Sequence, residues 1–449
     1  MRNDLIERHA RPIPRYTSYP TAPHFHDGIT AIDQRHWIEE LPHDSTLSLY
    51  LHIPFCDRLC WFCGCHTKQV RRYTPVAAYL PALGAEISAV AKQLAGRGKV
   101  VAIHLGGGSP SMLTSEDFLK LGKLLRASFD IAADLEFSIE IDPNDMDAAR
   151  YDALAQIGIT RVSLGVQDFN PDVQAAVNRI QTYEQTLAVV DAMRRRNVES
   201  INIDVLYGLP HQTVSSVEAT VAQALLLEPD RMAVFGYAHV PWLKPHQRMI
   251  DEATLPGGRE RFEQAQAAAA VITEAGYEAV GFDHFAKPTD SLARAARQGQ
   301  LHRNFQGYTT DKATALLGFG ASAISRFPQG YLQNTVPTAN YQEQVVNEGT
   351  AVARGYRFTE DDRIRSYVIE RLMCDFAVSL EAVKVRYGTA AADAVAQIAE
   401  FARQDPDGLA EFDGDHLTLT QQGRPFVRSV AAAFDAYLPE DVTRCSAAV

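Results

Sequence analysis

Four of the six cysteines in this 449-residue chain crowd into one short stretch, Tyr50-Leu-His-Ile-Pro-Phe-Cys56-Asp-Arg-Leu-Cys60-Trp-Phe-Cys63-Gly-Cys65. The first three are spaced C-x3-C-x2-C. Three thiolates on one loop can hold three irons of a four-iron cubane and leave one iron without a protein ligand. That open corner suits a small chelating molecule. S-adenosylmethionine carries an amine and a carboxylate on one carbon, which makes it a natural bidentate ligand. Chelation would set its sulfonium beside the cluster, where a reduced cluster can pass it one electron. Homolysis of the C–S bond then gives a 5′-deoxyadenosyl radical, a chemistry that belongs to the cofactors. A zinc site would need four ligands, commonly as two C-x2-C pairs. Here the remaining Cys374 and Cys445 are isolated and far apart.

A loop of this kind needs elements to position it. Strand-like runs rich in Val, Ile and Leu fall at Leu47–Ile53, Val100–Leu105, Leu135–Ile141, Arg161–Val166, Ser200–Tyr207 and Arg231–Tyr237. Helix-like runs alternate with them at Thr74–Leu94, Ser115–Phe129, Met146–Ile157, Asn170–Asn178, Thr182–Asn197 and Ser215–Leu227. Ser115 and Thr182 read as helix N-caps. Repeated β–α units predict a parallel sheet covered by helices. Unusual residues close nearly every strand: Cys56, Gly106-Gly107-Gly108, Glu140 with Asp142, Gln167 with Asp168, Asp204 and His239. In a barrel the C-terminal strand ends form the active-site rim, so this pattern favours a curved, barrel-like sheet.

The fold class expected is therefore α/β, a partial (β/α)6 TIM-like barrel with a small C-terminal domain. Residues 1–45, with Pro12, Pro14, Pro20 and Pro23, read as an N-terminal arm contacting the barrel. Residues 46–345 read as the barrel, with 240–345 as an extension over its rim. Residues 346–449 read as a mostly helical unit, with helices over 359–378 and 381–403. There LAEFDGDHLTLTQQGRPFVRSVAAAF gives strand, Asp-Gly turn, strand and helix, a winged-helix-like pattern. The segment Gly318-Phe-Gly-Ala-Ser-Ala follows Thr314-Ala-Leu-Leu rather than a clear strand, which argues against a dinucleotide fingerprint.

Bulk composition narrows the class. A net charge of -12 argues against nucleic-acid binding. The charged N-terminus MRNDLIERHA lacks a secretory apolar core. No apolar run is long enough for a membrane span. The expectation is a cytoplasmic protein whose crowded thiols hold metal rather than form disulfides.

The C-x3-C-x2-C loop is the signature of the radical S-adenosylmethionine superfamily. Its context HIPFCDRLCWFCGC is similar to the oxygen-independent coproporphyrinogen III oxidases of haem synthesis. So are PRYTSYPTA, HLGGGSPSML, SIEIDP, GVQDFN, INIDVLYGLP, YAHVP, DHFA, LHRNFQGYTT and GFGASAIS, in the family's order over residues 14 to about 326. Trp61 stands where the family usually has Tyr, and the arm before Pro14 is shorter.

The resemblance implies a radical S-adenosylmethionine barrel with one 4Fe-4S cluster on Cys56, Cys60 and Cys63. It implies that Tyr50, Gly106, Glu140 and Ile324 contact the chelated S-adenosylmethionine. It also implies a second S-adenosylmethionine at Phe62, Gly107, Gly108, Gln167, Arg179, Asp204 and Ala238. Glycines let backbone approach a ligand closely, and Arg179 and Asp204 suit a carboxylate and an amine. Cys65 matches the family's extra cysteine, with a substrate-side role. The implied reaction is anaerobic oxidative decarboxylation of two propionates of coproporphyrinogen III to vinyls, giving protoporphyrinogen IX. Its implied partners are a donor such as flavodoxin or ferredoxin and an unnamed electron acceptor, and the implied state is a monomer. Arg15, His284, Lys287, Arg303 and Arg326 lie in rim motifs as candidates for the propionates. The other readings are a haem-binding chaperone, whose relatives usually lack the Cys65 equivalent, and a haem-utilisation radical enzyme.

Overall fold

The structure, a computed structural model, describes residues 3–438, and Cys445 lies outside the described residues. Seven parallel strands form the centre of a 12-stranded sheet: β1 (Thr46–Ile53), β2 (Lys99–Gly107), β3 (Ile131–Ile141), β4 (Arg161–Gln167), β5 (Ser200–Tyr207), β6 (Arg231–Gly236) and β7 (Ala315–Phe319). In space β7 lies beside β1, and β1 to β6 follow in sequence order. The two outermost strands of the sheet, Val352–Arg357 and Glu278–Val280, do not pair with each other, so the barrel is partial. All six expected strands are present. Their Val, Ile and Leu side chains are buried because helices cover the sheet.

Most of the helices between them start on side-chain caps. Thr182 and Gln185 form a capping box, as do Thr213 and Ser216. The cap of the helix Ser115–Ser128 is Thr114, not Ser115, because the Thr114 hydroxyl accepts from the Asp117 amide. Thr74–Leu94 keeps the expected bounds with Pro at its first turn, where no amide donor is needed.

The reading of Thr314-Ala-Leu-Leu as no clear strand is overturned. Ala315–Phe319 is a true strand, paired from Leu47↔Ala315 to Leu51↔Phe319, so part of the expected extension belongs to the barrel itself. Glycine blurred its pattern. A Cβ on Gly318 would sit 2.5 Å from the Ile324 carbonyl oxygen. Gly320, at φ +99, turns the chain into the antiparallel strand Ile324–Phe327. No helix opens after β7, so no dinucleotide unit forms.

The C-terminal unit holds helices Glu360–Asp375, Leu380–Tyr387 and Ala392–Gln404 against a three-stranded sheet with His416–Leu419 in the middle. The expected single helix over 381–403 is broken at Gly388, whose φ is +59. The Asp413-Gly414 turn is where the sequence puts it, with Gly414 at φ +105. Two large apolar cores result. Trp37, Ile38 and Leu41 join the barrel core. Leu5, Ile6, Ile13, Tyr16 and Tyr19 join the core of the C-terminal unit. The N-terminal segment thus clamps both.

Behind β1 and β7, the buried Glu86 ties the first barrel helix to the hairpin after β7. It accepts from the Gly320 amide at 2.8 Å, the Tyr341 hydroxyl at 2.7 Å and the Asn334 amide at 2.7 Å. Removing it leaves the buried Gly320 amide and Tyr341 hydroxyl without an acceptor, and Asn334 Nδ2 with only the Gly320 carbonyl. Each orphan costs about 1–3 kcal/mol. Glu86→Ala is therefore expected to lower the urea unfolding midpoint by a margin larger than that of an exposed change such as Glu116→Ala; equal midpoints would contradict this role.

Candidate active site

The cysteine loop leaves the C-terminal end of β1 and has little regular structure of its own. A two-residue parallel pairing, Phe55↔Lys68 and Cys56↔Gln69, closes its base. Its far side is strapped to the segment after β4. The Trp61 amide donates to the Val177 carbonyl at 2.9 Å, and Asn178 Nδ2 donates to the Leu59 carbonyl at 2.9 Å. From the third side come residues after β6. His246 Nε2 lies 2.8 Å from the Cys63 carbonyl and Lys244 Nζ donates to the Cys65 carbonyl at 2.9 Å. Gln247, fully buried, donates to the carbonyls of both Phe62 and Ala238, at 3.0 and 3.1 Å.

The thiols have separate surroundings. Cys56 Sγ is 3.0 Å from the Thr67 hydroxyl. Cys60 Sγ accepts from Arg179 at 3.5 Å. Cys63 Sγ accepts from the Cys65 amide at 3.4 Å. Burial pushes the Cys56 thiol up to about 12. It also raises Cys60, though Arg179 opposes it. A hydrogen bond from Cys65 draws Cys63 down to about 7. Among the described residues, no three of His, Cys, Asp and Glu converge where one metal ion would sit. Soft donors spread over one loop fit the edges of a multi-iron cluster better than a single zinc.

Beside the loop, β1, β2 and β3 carry one network. Tyr50 stacks on His104, with ring centroids 5.8 Å apart, and its hydroxyl is 2.9 Å from His52 Nδ1. His104 Nε2 lies 3.3 Å from Glu140 Oε1, and the Gly107 amide donates to Glu140 Oε2 at 3.1 Å. Burial pushes the Glu140 carboxyl up, but His104 and this amide hold it below its ordinary value. The three glycines form a cradle that side chains would fill. A Cβ on Gly106 would sit 3.0 Å from Glu140, His104 and Tyr50, and one on Gly108 would sit 2.5 Å from the Phe55 carbonyl. Ile324 reaches the same place because its backbone lies against Gly318, the register partner of Tyr50.

The second group lies on β4 and β5. Arg179 donates to the Gly165 carbonyl at 2.6 Å, to Asp142 at 3.1 Å and to Gln181 at 3.2 Å. Gln167, at φ +67, folds its amide back over Gly165. Asp204 is the register partner of Gly165 and accepts from Ser163 at 2.9 Å and Asn202 at 2.7 Å. Burial raises its carboxyl above the ordinary value. Ala238 is bound to Phe62 through Gln247. The residues expected from the sequence to form one site are thus linked at adjacent strand ends.

The propionate candidates divide. Arg15, His284 and Arg303 cluster beside β5 and β6. Lys287 does not reach the rim. Its strand, His284–Ala286, runs antiparallel to β6, which carries Lys287 back to the strand's start, 3.6 Å from Asp230. Arg326 is exposed on the antiparallel extension. His104 and Gln247 were not foreseen. His104 sat inside an expected strand with only alternation with Tyr50's neighbours to betray it, and Gln247 lay in a loop.

Residues 50–224 match the Radical SAM superfamily and residues 358–426 the HemN C-terminal domain. An oxygen-independent coproporphyrinogen III oxidase of Bradyrhizobium diazoefficiens is 49% identical over 98% of each chain. One from Cereibacter sphaeroides is 45% identical over 95% of this chain and 94% of its own. The solved structure of coproporphyrinogen III oxidase from Escherichia coli, described as a radical SAM enzyme, matches with a TM-score of 0.90 at 40% identity, over 95% of this chain and 100% of that one.

Gln247→Leu keeps volume but removes the donors that hold Phe62 and Ala238 together. Amides of residues 59–66 are expected to exchange with deuterium at least several-fold faster, with the barrel strands unchanged. Unaltered exchange in the loop would refute its strapping role.

Proposed function

Because the chain belongs to the oxygen-independent coproporphyrinogen III oxidases of the radical S-adenosylmethionine superfamily, we propose that it converts two propionates of coproporphyrinogen III to vinyls, giving protoporphyrinogen IX. The observation that carries this reading is full-length similarity to enzymes of that name together with an intact thiol loop at the strand ends.

When bound, the 4Fe-4S cluster and S-adenosylmethionine supply one-electron cleavage and a carbon radical that takes hydrogen from substrate. Cys56, Cys60 and Cys63 would hold the cluster, and Tyr50 and Gly106 would contact the molecule it chelates. Glu140, kept ionised by His104, accepts hydrogen bonds from the amine or hydroxyls of the chelated molecule. Tyr50 and Ile324 flank it. Phe62, Gly107, Gly108, Gln167, Arg179, Asp204 and Ala238 hold a second S-adenosylmethionine, with Arg179 toward its carboxylate and Asp204 toward its amine. Cys65 is exposed and would act on the substrate side. In the substrate, the carbon next to the pyrrole loses hydrogen, the carboxyl leaves as carbon dioxide, and one further electron goes to an acceptor.

The rest of the reading follows from this. Residues 1–45 act as arm and 46–345 as catalytic barrel; of 346–449, Val352–Arg357 is an edge strand of the barrel sheet and the closing domain proper follows it. The protein works as a cytoplasmic monomer supplied by flavodoxin or ferredoxin. No helix among the described residues is long and apolar enough to cross a membrane. Cys65 weighs against the haem-binding chaperone, and the rim motifs against a haem-utilisation enzyme.

Anaerobic incubation of reconstituted protein with S-adenosylmethionine, reductant and coproporphyrinogen III is expected to yield protoporphyrinogen IX by mass analysis; no vinyl product would overturn the activity. Cys56→Ala, Cys60→Ala and Cys63→Ala are each expected to lose the iron and its broad visible absorption. Cys374→Ala is expected to keep both, and Cys65→Ala to keep the cluster but lose turnover. A second count tests the two-molecule site: about two S-adenosylmethionine per cluster in wild type and about one in folded Asp204→Ala. A wild type that binds one returns Asp204, Gln167 and Arg179 to scaffold.

A further inference from the structure

Next to Ala238, a cavity lies between the ends of β5 and β6, the N-terminal arm and the C-terminal unit. Arg15, Arg261 and Arg428 line it together with Tyr207, Tyr237 and Asp283. Arg303 stands behind it, 3.9 Å from Asp283 and stacked 4.5 Å from the centre of the Tyr308 ring. Arg15 and Arg303 lie beside one carboxylate, Asp283, which also bonds His284 at 2.7 Å, and Arg261 shares the same lining.

The hydrogen-bond partners of Arg15 and Arg261 are neutral. Arg15 donates to the Gly236 carbonyl at 2.6 Å and Arg261 to the Tyr237 carbonyl at 2.7 Å. Arg428 donates to the carbonyls of Ile13 and Pro14. Backbone carbonyls orient a guanidinium without cancelling its charge. Two of the four are deeply buried: the Arg303 side chain is 4% exposed and Arg428 is 6% exposed. Arg261 Nε and Arg303 Nε and Nη1 are buried with no hydrogen-bond partner among the described residues. Burial lowers Arg15, and lowers Arg428 to about 9, with neighbouring arginines adding to the effect. Buried cations in excess of their counter-charge are costly unless an anion completes them, and planar forks match carboxylates.

We propose that this cavity is an anion-binding subsite in which Arg15, Arg261 and Arg303, with Arg428 behind the arm, anchor a propionate of the tetrapyrrole substrate. The assignment rests on the function proposed above. It draws in Arg261 and Arg428, which lie outside the motifs that suggested Arg15 and Arg303. Tyr237, the chain neighbour of Ala238, is part of the lining. A carboxylate fixed here leaves another propionate free to face the reacting centre.

The alternative is a purely mechanical role, gluing arm and C-terminal unit to the barrel. The test uses the cluster-loaded protein and equilibrium binding of coproporphyrin III, read by fluorescence, with its tetramethyl ester as the uncharged control. Arg261→Gln is expected to weaken coproporphyrin III by about ten- to a hundredfold, with the ester unaffected and S-adenosylmethionine per cluster unchanged. Arg261→Lys should recover part of the loss. Asp283→Asn, which removes the competing carboxylate, should bind coproporphyrin III at least as tightly as wild type, an outcome no damaged fold gives. Thermal melting confirms that each variant is folded. Equal affinity in wild type and in both folded Arg261→Gln and Arg15→Gln overturns the proposal. So does equal binding of acid and ester by wild type. Loss of S-adenosylmethionine instead of porphyrin would assign the cations to that carboxylate. Displacement by millimolar inorganic phosphate without effect on porphyrin would mean a free anion only. Each of these two results also overturns the proposal. Failure of wild type to make vinyl product, with binding behaving as expected, would instead sink the function and leave the anion site standing.

Discussion

Three thiolates on one short loop repel one another, and Arg179 is a positive charge placed against that repulsion. Its guanidinium reaches Cys60, Asp142, the Gly165 carbonyl and Gln181 at once, and its side chain is only 12% exposed. It therefore fixes the loop to β4 and to the turn after β3 in one contact. The chain delivers it there through the short helix Pro171–Ala176, whose following residues also supply the Val177 and Asn178 straps. Without those ties the loop would keep its two-residue base and its bonds to Lys244, His246 and Gln247 but lose its hold on β4.

The parallel sheet does the rest through register. Tyr50 pairs with His104, His104 with Ser138, and Glu140 with Ser163. Asp204 then follows through Gly165. Side chains on one face of neighbouring parallel strands meet without any loop having to find its partner. The result is two half-buried carboxylates with opposite tendencies. Glu140 has a histidine and a backbone amide and stays ionised readily. Asp204 has only neutral donors, Ser163 and Asn202, so burial raises it. A cationic amine brought to Asp204 restores the balance, which is the physical content of assigning it to an ammonium group.

The thiol spacing was legible because ligand chemistry constrains sequence directly, and the six strands because burial on both faces makes apolar runs. What stayed hidden depended on contacts between distant segments. The seventh strand, β7, was obscured by Gly318, which is there because the Ile324 backbone passes too close for a side chain. Lys287 belonged to a rim motif by sequence, but the antiparallel direction of His284–Ala286 is invisible in a string and carries it to the opposite end. Thr114 and Ser115 are chemically alike as caps, and only the hydroxyl geometry separates them. Gln247 carried no signal beyond being a polar residue in a loop, yet it is fully buried.

The two cores explain why the arm is placed as it is. Tyr16 and Tyr19 sit in the C-terminal core while Trp37 and Ile38 sit in the barrel core, so the chain between them spans the seam. Arg15 lies at the edge of that seam and reaches the Gly236 carbonyl at the end of β6. Arg428 reaches back from the C-terminal helix to the carbonyls of Ile13 and Pro14. Closing a seam with cations rather than apolar groups sacrifices stability, since like charges gather in a place of low dielectric. A seam built only for adhesion would fill with leucine. One that carries fixed positive charge is stabilised when an anion enters.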